Sequence, residues 1–137
     1  MLQTSKWQFG DYLISTDKSL LSIDSIANLL SKSYWAKERK VDVIQKSISN
    51  SQCYGLYFES QQVGFARVVS DFATVYWICD VIVDEAHRGK GLGKKLIECI
   101  VNTEEFLNIR GILATSDAHG LYEQFGFQKD QGRFMRR

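Results

Sequence analysis

The amino-acid sequence predicts an α/β fold in which a mixed β-sheet is flanked by helices. Two observations indicate this class. The middle of the chain is rich in β-branched and aromatic residues interrupted by polar turns, as strands are, and the segments around it carry apolar residues at helical spacing. With 137 residues, 45% of them hydrophobic, the chain has the size and composition of one domain spanning residues 1–137.

The first third of the chain predicts one strand and two helices. Residues 11–16 (DYLIST) form the first predicted strand. The apolar residues between Leu20 and Leu30 then recur at a spacing that places them on one face of a helix. The segment 31–40 is polar apart from an aromatic pair and predicts a loop. Residues 41–48 predict a short second helix.

The middle of the chain predicts three strands and a helix. Residues 53–58 and 63–69 flank a polar turn, which is typical of a hairpin. Residues 75–83 (VYWICDVIV) are rich in the residue types that strands prefer. From about Leu92 to Asn102, the apolar side chains fall on one helical face.

The last part of the chain predicts a strand, a short helix and a hairpin. The strand covers residues 111–116 (GILATS). Asp117 is placed to cap a helix over 119–125, which Gly126 would end by adopting a left-handed conformation. The segments FQK and RFMR that follow suggest a final hairpin.

The composition argues against several classes of function. Seventeen basic and sixteen acidic residues leave a net charge of +1, so the chain has no general attraction for nucleic acid or an anionic membrane. Its most apolar stretch is far too short to span a bilayer, and the N-terminal residues lack the apolar segment of a signal peptide. We therefore expect a cytoplasmic protein, a monomer or a homodimer, without nucleic-acid or membrane partners.

The cysteines and histidines predict no metal site. Cys53, Cys79 and Cys99 are widely spaced among apolar residues, which is typical of reduced core thiols. The two histidines, His87 and His119, do not stand in a zinc-binding spacing.

The segment Arg88-Gly89-Lys90-Gly91-Leu92-Gly93 is the most informative part of the sequence. It lies between a predicted strand and a predicted helix, where glycines allow a sharp turn and a close approach of a ligand to the backbone. The N–H groups at a helix start favour an anion, and the basic side chains add positive charge. The alternative is a glycine-rich turn with a solvated basic face. The phosphate loop of nucleoside triphosphatases and the dinucleotide fingerprint both fail on spacing.

Two motifs together resemble the GNAT superfamily of N-acetyltransferases. Arg88-x-x-Gly91-x-Gly93, between a strand and a helix, is similar to the family's acetyl-coenzyme A motif, and residues 117–127 (DAHGLYEQFGF) are similar to its closing motif. The resemblance covers nearly the whole chain. It implies a GNAT fold, with a mixed, mostly antiparallel sheet of six to seven strands flanked by about four helices, and acetyl-CoA as the acetyl donor for an amine.

The resemblance also implies a set of cofactor-binding residues. Val81, Ile82 and Val83 would pair with the pantetheine arm, and the N–H group near Val81 would donate to the thioester carbonyl. Asp117 would help to hold the arm, although the family often has asparagine there, and a carboxylate only accepts hydrogen bonds. The amides that would bind the diphosphate belong to Arg88, Gly89, Lys90, Gly91, Leu92, Gly93 and Lys94.

Tyr122 and Asp80 are the predicted catalytic residues. Tyr122 matches the family tyrosine that protonates the departing thiolate; a phenol is protonated at neutral pH and can act as an acid. The alternative is that its ring only packs. Asp80 could orient the amine or accept its proton, or it could be a structural acid paired with a cation such as Arg67.

Three further hypotheses concern residues near these two. Cys79 lacks a neighbouring histidine in sequence to activate it, which argues against a covalent acetyl-cysteine. His119 could touch the cofactor or simply be exposed. Tyr34 and Trp35 could line the acceptor site or pack.

The sequence predicts direct transfer to a small-molecule or protein amine in a ternary complex. The alternatives are a module that binds acyl-CoA without catalysis and a nucleotide-binding protein of another family.

Overall fold

One six-stranded sheet organises residues 2–137, the part of the chain that the computed structural model describes. The strands lie across the sheet in chain order. Those from β1 to β5 are antiparallel to their neighbours, and β6 joins β5 in parallel. This confirms a mixed, mostly antiparallel sheet, with six of the expected six to seven strands. The strands are β1 (Lys6–Phe9), β2 (Tyr12–Ser15), β3 (Gln52–Phe58), β4 (Gln61–Ser70), β5 (Val75–Val83) and β6 (Arg110–Leu113).

The first two strands form a hairpin of which the sequence analysis predicted only the second half. The predicted strand at 11–16 is β2, and β1 precedes it. Trp7 and Phe9 alternate with polar residues and pack their rings against the core. Gly10 lies in the turn with a φ of +58°, a conformation that suits glycine. The alternation and the Gly10-Asp11 turn were a local signal for this hairpin.

In the described part of the chain, four α-helices flank the sheet, as expected: α1 (Ile23–Ser31), α2 (Val41–Ser49), α3 (Leu92–Val101) and α4 (His119–Glu123). Ser22 caps α1, its hydroxyl accepting a hydrogen bond from the Ser25 N–H at 3.1 Å. The parallel pairing of β5 and β6 follows from α3, because parallel neighbours need a crossover connection. Among residues 2–137, no helix is long and apolar enough to cross a membrane.

The two faces of the sheet carry separate apolar clusters. Helices α1 and α2 pack on one face, where Ile26, Leu30 and Ile44 meet Phe65 and Ile82. Helices α3 and α4 pack on the other, with the larger cluster: Ile14, Tyr54, Leu56, Val68, Ile78, Leu96, Ile97, Ile100 and Tyr122. Side chains of neighbouring strand residues point to opposite faces, so one sheet serves both clusters.

Two predictions for the C-terminal part are wrong. Asp117 does not cap α4: the cap residue is Ala118, without a side-chain bond, and the Ala118 N–H donates instead to Thr115 Oγ1 at 3.1 Å. The final hairpin is absent from the described residues, since no strand follows β6. Phe127 packs on Tyr122 and Phe134 on Trp77. These contacts hold the C-terminal segment against α4 and β5. Gly126 does adopt the expected positive φ.

Candidate active site

A gap between β5 and β6 forms the centre of the candidate site. Pairing with β6 covers β5 only from Val75 to Ile78, and β5 then continues to Val83 without a strand on that side. The Asp84 N–H donates to the Val63 carbonyl at 2.7 Å on the β4 side. Because successive strand residues direct their backbone groups to alternate sides, Val81 and Val83 direct theirs into the gap.

A β-bulge at Asp80 changes the direction of the side chains along β5, two residues beyond the end of its pairing with β6. The register moves from Arg67–Cys79 to Phe65–Ile82, so Asp80 and Val81 both lie opposite Ala66. Asp80 has a φ of +31°, an uncommon value for a non-glycine residue. The extra residue lets Val81 and Val83 face the α3 cluster, while Asp80 turns toward the α1–α2 face.

The glycine turn lies where the gap reaches the start of α3. Gly89 and Gly91 have φ values of +81° and +73°, the left-handed region in which other residues are strained. Gly91 is the N-cap of α3. Within residues 2–137, the amides of 89–94 donate to no other residue, as expected for the first turn of a helix. They form a set of available donors with the positive end of the helix dipole behind them.

The side chains around this turn are arranged in two groups. Arg88 donates from Nε to the Val83 carbonyl at 3.1 Å, which ties the turn to the end of β5. Lys90 Nζ donates to the Tyr12 hydroxyl at 3.3 Å, and that hydroxyl lies 2.8 Å from Nδ1 of His87. The turn is therefore anchored to both β5 and the N-terminal hairpin.

Asp80 lies at the centre of a buried polar cluster. Its Oδ2 accepts from Arg39 Nη1 at 2.6 Å and Arg67 Nε at 2.8 Å, and its Oδ1 accepts from Trp35 Nε1 at 2.9 Å. Arg67 also donates to Ser51 Oγ at 3.1 Å. Burial alone would raise the pKa of Asp80, but the two guanidinium groups outweigh it and lower the pKa below its ordinary value. The pairing with Arg67 was one of the two alternatives for this residue.

Tyr122 lies on α4, which follows β6 on the other side of the gap, and it lines the open groove between β6 and the C-terminal segment. Its side chain is buried on α4, its ring packs edge-on against Phe127, and its hydroxyl makes no hydrogen bond to another described residue. Burial raises the pKa of Tyr122 to about 12, with smaller contributions from Tyr34 and Asp117. The phenol therefore keeps its proton well above neutral pH.

The loop between α1 and α2 contacts both sides of the gap, β5 on one side and the segment after β6 on the other. Trp35 bonds to Asp80 of β5, whereas the Tyr34 hydroxyl accepts from the Ser116 N–H at 3.2 Å. The two rings pack edge to face with centroids 5.0 Å apart. The loop thus crosses the gap on the α1–α2 face, away from the glycine turn.

Three other residues take different places. Cys79 is half-buried, and burial raises its pKa, so its thiol is protonated. His119 lines an open groove of about 870 Å³ between β6 and the C-terminal segment. Arg39 was missed by the sequence analysis, because it is 41 residues from Asp80 in a polar segment that carries no distinguishing local pattern.

Comparisons with known proteins show which family the chain belongs to. The family model described as the acetyltransferase (GNAT) domain matches residues 49–129, more than half of the chain. A crystal structure of a protein assigned to the GNAT family, from Xanthomonas campestris, is similar with a TM-score of 0.89 and 39% identity, over 95% of this chain and 94% of its own. A GNAT family acetyltransferase from Elizabethkingia anophelis, whose structure has acetyl-CoA bound, shares the fold with a TM-score of 0.66 at 15% identity, over 86% of this chain and 76% of its own.

Curated sequences agree with the structural similarity. A protein named as an acetyltransferase from Gibberella zeae is 31% identical over 114 residues, 69% of this chain and 64% of its own. The spermine/spermidine N(1)-acetyltransferase of Bacillus subtilis is 31% identical over 87 residues, 54% of this chain and 57% of its own. The chain spans between 29% and 64% of the length of four of the curated relatives that it matches. The match to the family model and the 39% identity over nearly the whole chain establish that the chain belongs to the GNAT family of acetyltransferases.

Proposed function

We propose that the protein transfers the acetyl group of acetyl-CoA directly to an amine, within a ternary complex. The observation that carries this proposal is the continuity of the gap with the glycine turn. The backbone groups of Val81 and the N–H of Val83, which pair with no strand on this side, lead from the bulge to the free amides at the start of α3, and Arg88 occupies the Val83 carbonyl. A long ligand with amides at one end and a diphosphate at the other matches this line of donors and acceptors.

Gly93 supports the fit of a diphosphate to the turn. Unlike Gly89 and Gly91, it lies within α3 and has no positive φ. A Cβ added at Gly93 would meet no atom within 4 Å. Glycine is a poor helix former, and neither the backbone nor the packing of residues 2–137 requires it here. A ligand that approaches the backbone closely gives a reason for it.

Residues on the β5 side and on the α4 side of the gap would have separate roles in the transfer. On β5, the Val81 N–H is directed where it can stabilise the oxygen of a thioester carbonyl as that oxygen gains negative charge. The amine nitrogen attacks the carbonyl carbon, the carbon–sulfur bond breaks, and Tyr122 gives its proton to the leaving sulfur. Asp117 lies in the loop before α4, where it can accept a hydrogen bond from an amide of the pantetheine arm.

We infer that Asp80 positions the α1–α2 loop and does not act as the base. Both of its oxygens are already engaged by Trp35, Arg39 and Arg67, and a carboxylate held by two guanidinium groups is a weak proton acceptor. Proximity of the two substrates can then lower the barrier by about 7–11 kcal/mol.

Binding of acetyl-CoA and release of thiol test this proposal. Acetyl-CoA at about 100 times its dissociation constant should stabilise the protein by about 2.7 kcal/mol in thermal unfolding, whereas ATP should not. With a panel of amines, acetyl transfer should release free thiol. Stabilisation without thiol release from any amine would identify a binding module, and no stabilisation would overturn the proposal.

Replacing Gly93 by alanine should separate ligand binding from folding. We expect Gly93→Ala to stabilise the free protein by about 0.5–1 kcal/mol, because alanine is the better helix former, and to reduce the stabilisation by acetyl-CoA. Asn28→Ala is the matched control, since Asn28 is exposed on α1 and should raise stability without changing the ligand effect. An undiminished acetyl-CoA effect in Gly93→Ala would contradict a close approach of the diphosphate.

The pH dependence of turnover follows from the raised pKa of Tyr122. With a pKa of about 12, only about 1% of the phenol is ionised at pH 10, compared with half for an unperturbed tyrosine. We expect kcat to rise as the amine loses its proton and to show no decline from Tyr122 up to pH 10. A decline with a midpoint near pH 10 in protein that is still folded, and lost in Tyr122→Phe, would contradict this expectation.

A further inference from the structure

The polar cluster at the bulge carries an excess of positive charge. Two guanidinium groups, from Arg39 and Arg67, meet the single carboxylate of Asp80. The cluster therefore has a net charge of +1 where solvent screening is weak.

Arg39 retains unused donors in this cluster. A guanidinium group has five N–H bonds, and Arg39 donates only from Nη1 to another described residue. Its side chain is 22% exposed, whereas that of Asp80 is 2% exposed. Arg67 is more fully engaged, because it donates to both Asp80 and Ser51. Arg39 is thus the member of the cluster better able to bind a further acceptor atom, because it has more unused N–H bonds than Arg67 and its side chain is more exposed, 22% against 13%.

Arg39 lies on the face of the sheet opposite the glycine turn. Asp80, to which it is bonded, directly precedes the Val81 amide that faces the gap. The glycine turn belongs to the α3 face of the sheet, whereas Arg39, Trp35 and Tyr34 lie on the α1–α2 face. A donor held at the turn leaves the α1–α2 side for the acceptor, which would meet Arg39 and the two aromatic rings there.

We propose that the acceptor is a primary amine that also carries a carboxylate, and that Arg39 binds this carboxylate. The proposal rests on the proposed acetyl transfer and adds its substrate class. Guanidinium groups bind carboxylates with strong, directional hydrogen bonds. The positive charge that attracts the carboxylate also disfavours the protonated form of a nearby amine, and the amine must be neutral to attack. A polyamine would instead bring a second cation toward a cluster that is already positive.

The carboxylate of Asp117 opposes this charge from the β6 side of the gap. Asp117 lies in the loop before α4, on the side to which we assign the pantetheine arm, and its negative charge favours the protonated forms of Tyr122 and Tyr34 by raising their pKa. It is exposed, so solvent screens it more than it screens Arg39. The positive charge at Arg39 therefore outweighs the negative charge of Asp117, and the protein should prefer an amine that carries a carboxylate to a matched amine that does not.

Matched pairs of acceptors test this directly in the wild-type protein. The pairs are 4-aminobutanoate with 1,4-diaminobutane, and L-phenylalanine with L-phenylalaninamide. In each pair the amine is kept and the carboxylate is replaced by a cation or by a neutral amide. We expect kcat/KM to be about 10- to 100-fold higher for the carboxylate member of at least one pair, the range expected for a charge-assisted hydrogen bond.

Substitutions of Arg39 then test whether this side chain causes the preference for the carboxylate. Arg39→Gln should reduce the preference to near one, mainly through a higher KM, and Arg39→Lys should retain only part of it, because an ammonium group keeps the charge but lacks the planar pair of donors. Lys37→Gln is the matched control, because it removes one positive charge from an exposed position of the same loop and should leave the preference unchanged. If Arg39→Gln fails to fold, the comparison of Arg39→Lys with the wild-type pairs still tests the role.

The outcomes distinguish this inference from the proposed function. Equal or higher kcat/KM for the diamine and the amide, with thiol released, would overturn the carboxylate inference and leave the acetyl transfer standing. An unchanged preference in Arg39→Gln would also overturn it. Stabilisation by acetyl-CoA without transfer to any amine would remove both the inference and the transfer, and no stabilisation by acetyl-CoA would remove the proposed cofactor itself.

Discussion

Replacing Tyr122 by phenylalanine is expected to lower kcat by about 10²–10⁴-fold, the usual contribution of a general acid. The change removes only the hydroxyl group. Because this hydroxyl makes no hydrogen bond to another described residue and the ring contact with Phe127 remains, the stability and the affinity for acetyl-CoA should stay close to the wild-type values. Single-turnover measurements with saturating acetyl-CoA would separate the chemical step from binding.

Tyr57→Phe is a matched control for this substitution. The Tyr57 hydroxyl is buried without a hydrogen-bond partner in the part of the chain described, which is a destabilising arrangement. It lies on β3, away from the gap. Its removal should therefore leave kcat unchanged and maintain or raise the free energy of unfolding. A kcat for Tyr122→Phe within a few-fold of wild type would show that the leaving thiolate does not depend on this phenol.

The second large effect concerns folding. Asp80→Asn should lower the free energy of unfolding by about 3 kcal/mol, because it leaves two partly buried guanidinium groups without their shared counter-charge. Asparagine keeps the shape of the side chain and tolerates a positive φ, so the bulge itself is preserved. Urea unfolding would measure the change. Glu38→Gln, at an exposed position of the neighbouring loop, should change stability by no more than about 0.5 kcal/mol.

The pH dependence of this difference checks its electrostatic origin. The folded pKa of Asp80 lies below its ordinary value. Its contribution to stability is therefore complete above about pH 4, the unfolded pKa, and is lost as the pH falls through the lower folded value. The wild-type and Asp80→Asn proteins should differ by a constant amount from pH 5 to pH 8 and converge in stronger acid. A difference that does not change with acid would point to packing alone.

The same variant tests whether Asp80 positions the loop or accepts a proton. At a temperature where Asp80→Asn is folded, loss of a general base would lower kcat by about 10²–10⁴-fold and remove an ionisation from the pH profile. A positioning role predicts instead a higher KM for the amine with the shape of the pH profile retained.

Several features could be predicted because their causes are local in sequence. The face of α3 follows from the 3.6-residue period of its apolar side chains, and the turn before it follows from glycines that tolerate positive φ at 89 and 91. The hairpin of β3 and β4 and the long strand β5 also come from local patterns. The final hairpin was predicted wrongly, because a few apolar residues do not decide whether a segment pairs with a strand or packs across it.

The sequence by itself determined the order of most strands and helices, the glycine turn and the motifs that resemble an acetyl-CoA site, since each depends on residues that are neighbours along the chain. Only the tertiary structure decided that β6 stops opposite Ile78, that the extra residue in β5 falls at Asp80, and that Arg39 and Trp35 reach Asp80 from the α1–α2 loop. These depend on register and on contacts between residues more than forty positions apart, and the energy of such contacts exists only once the sheet and the helices have packed together.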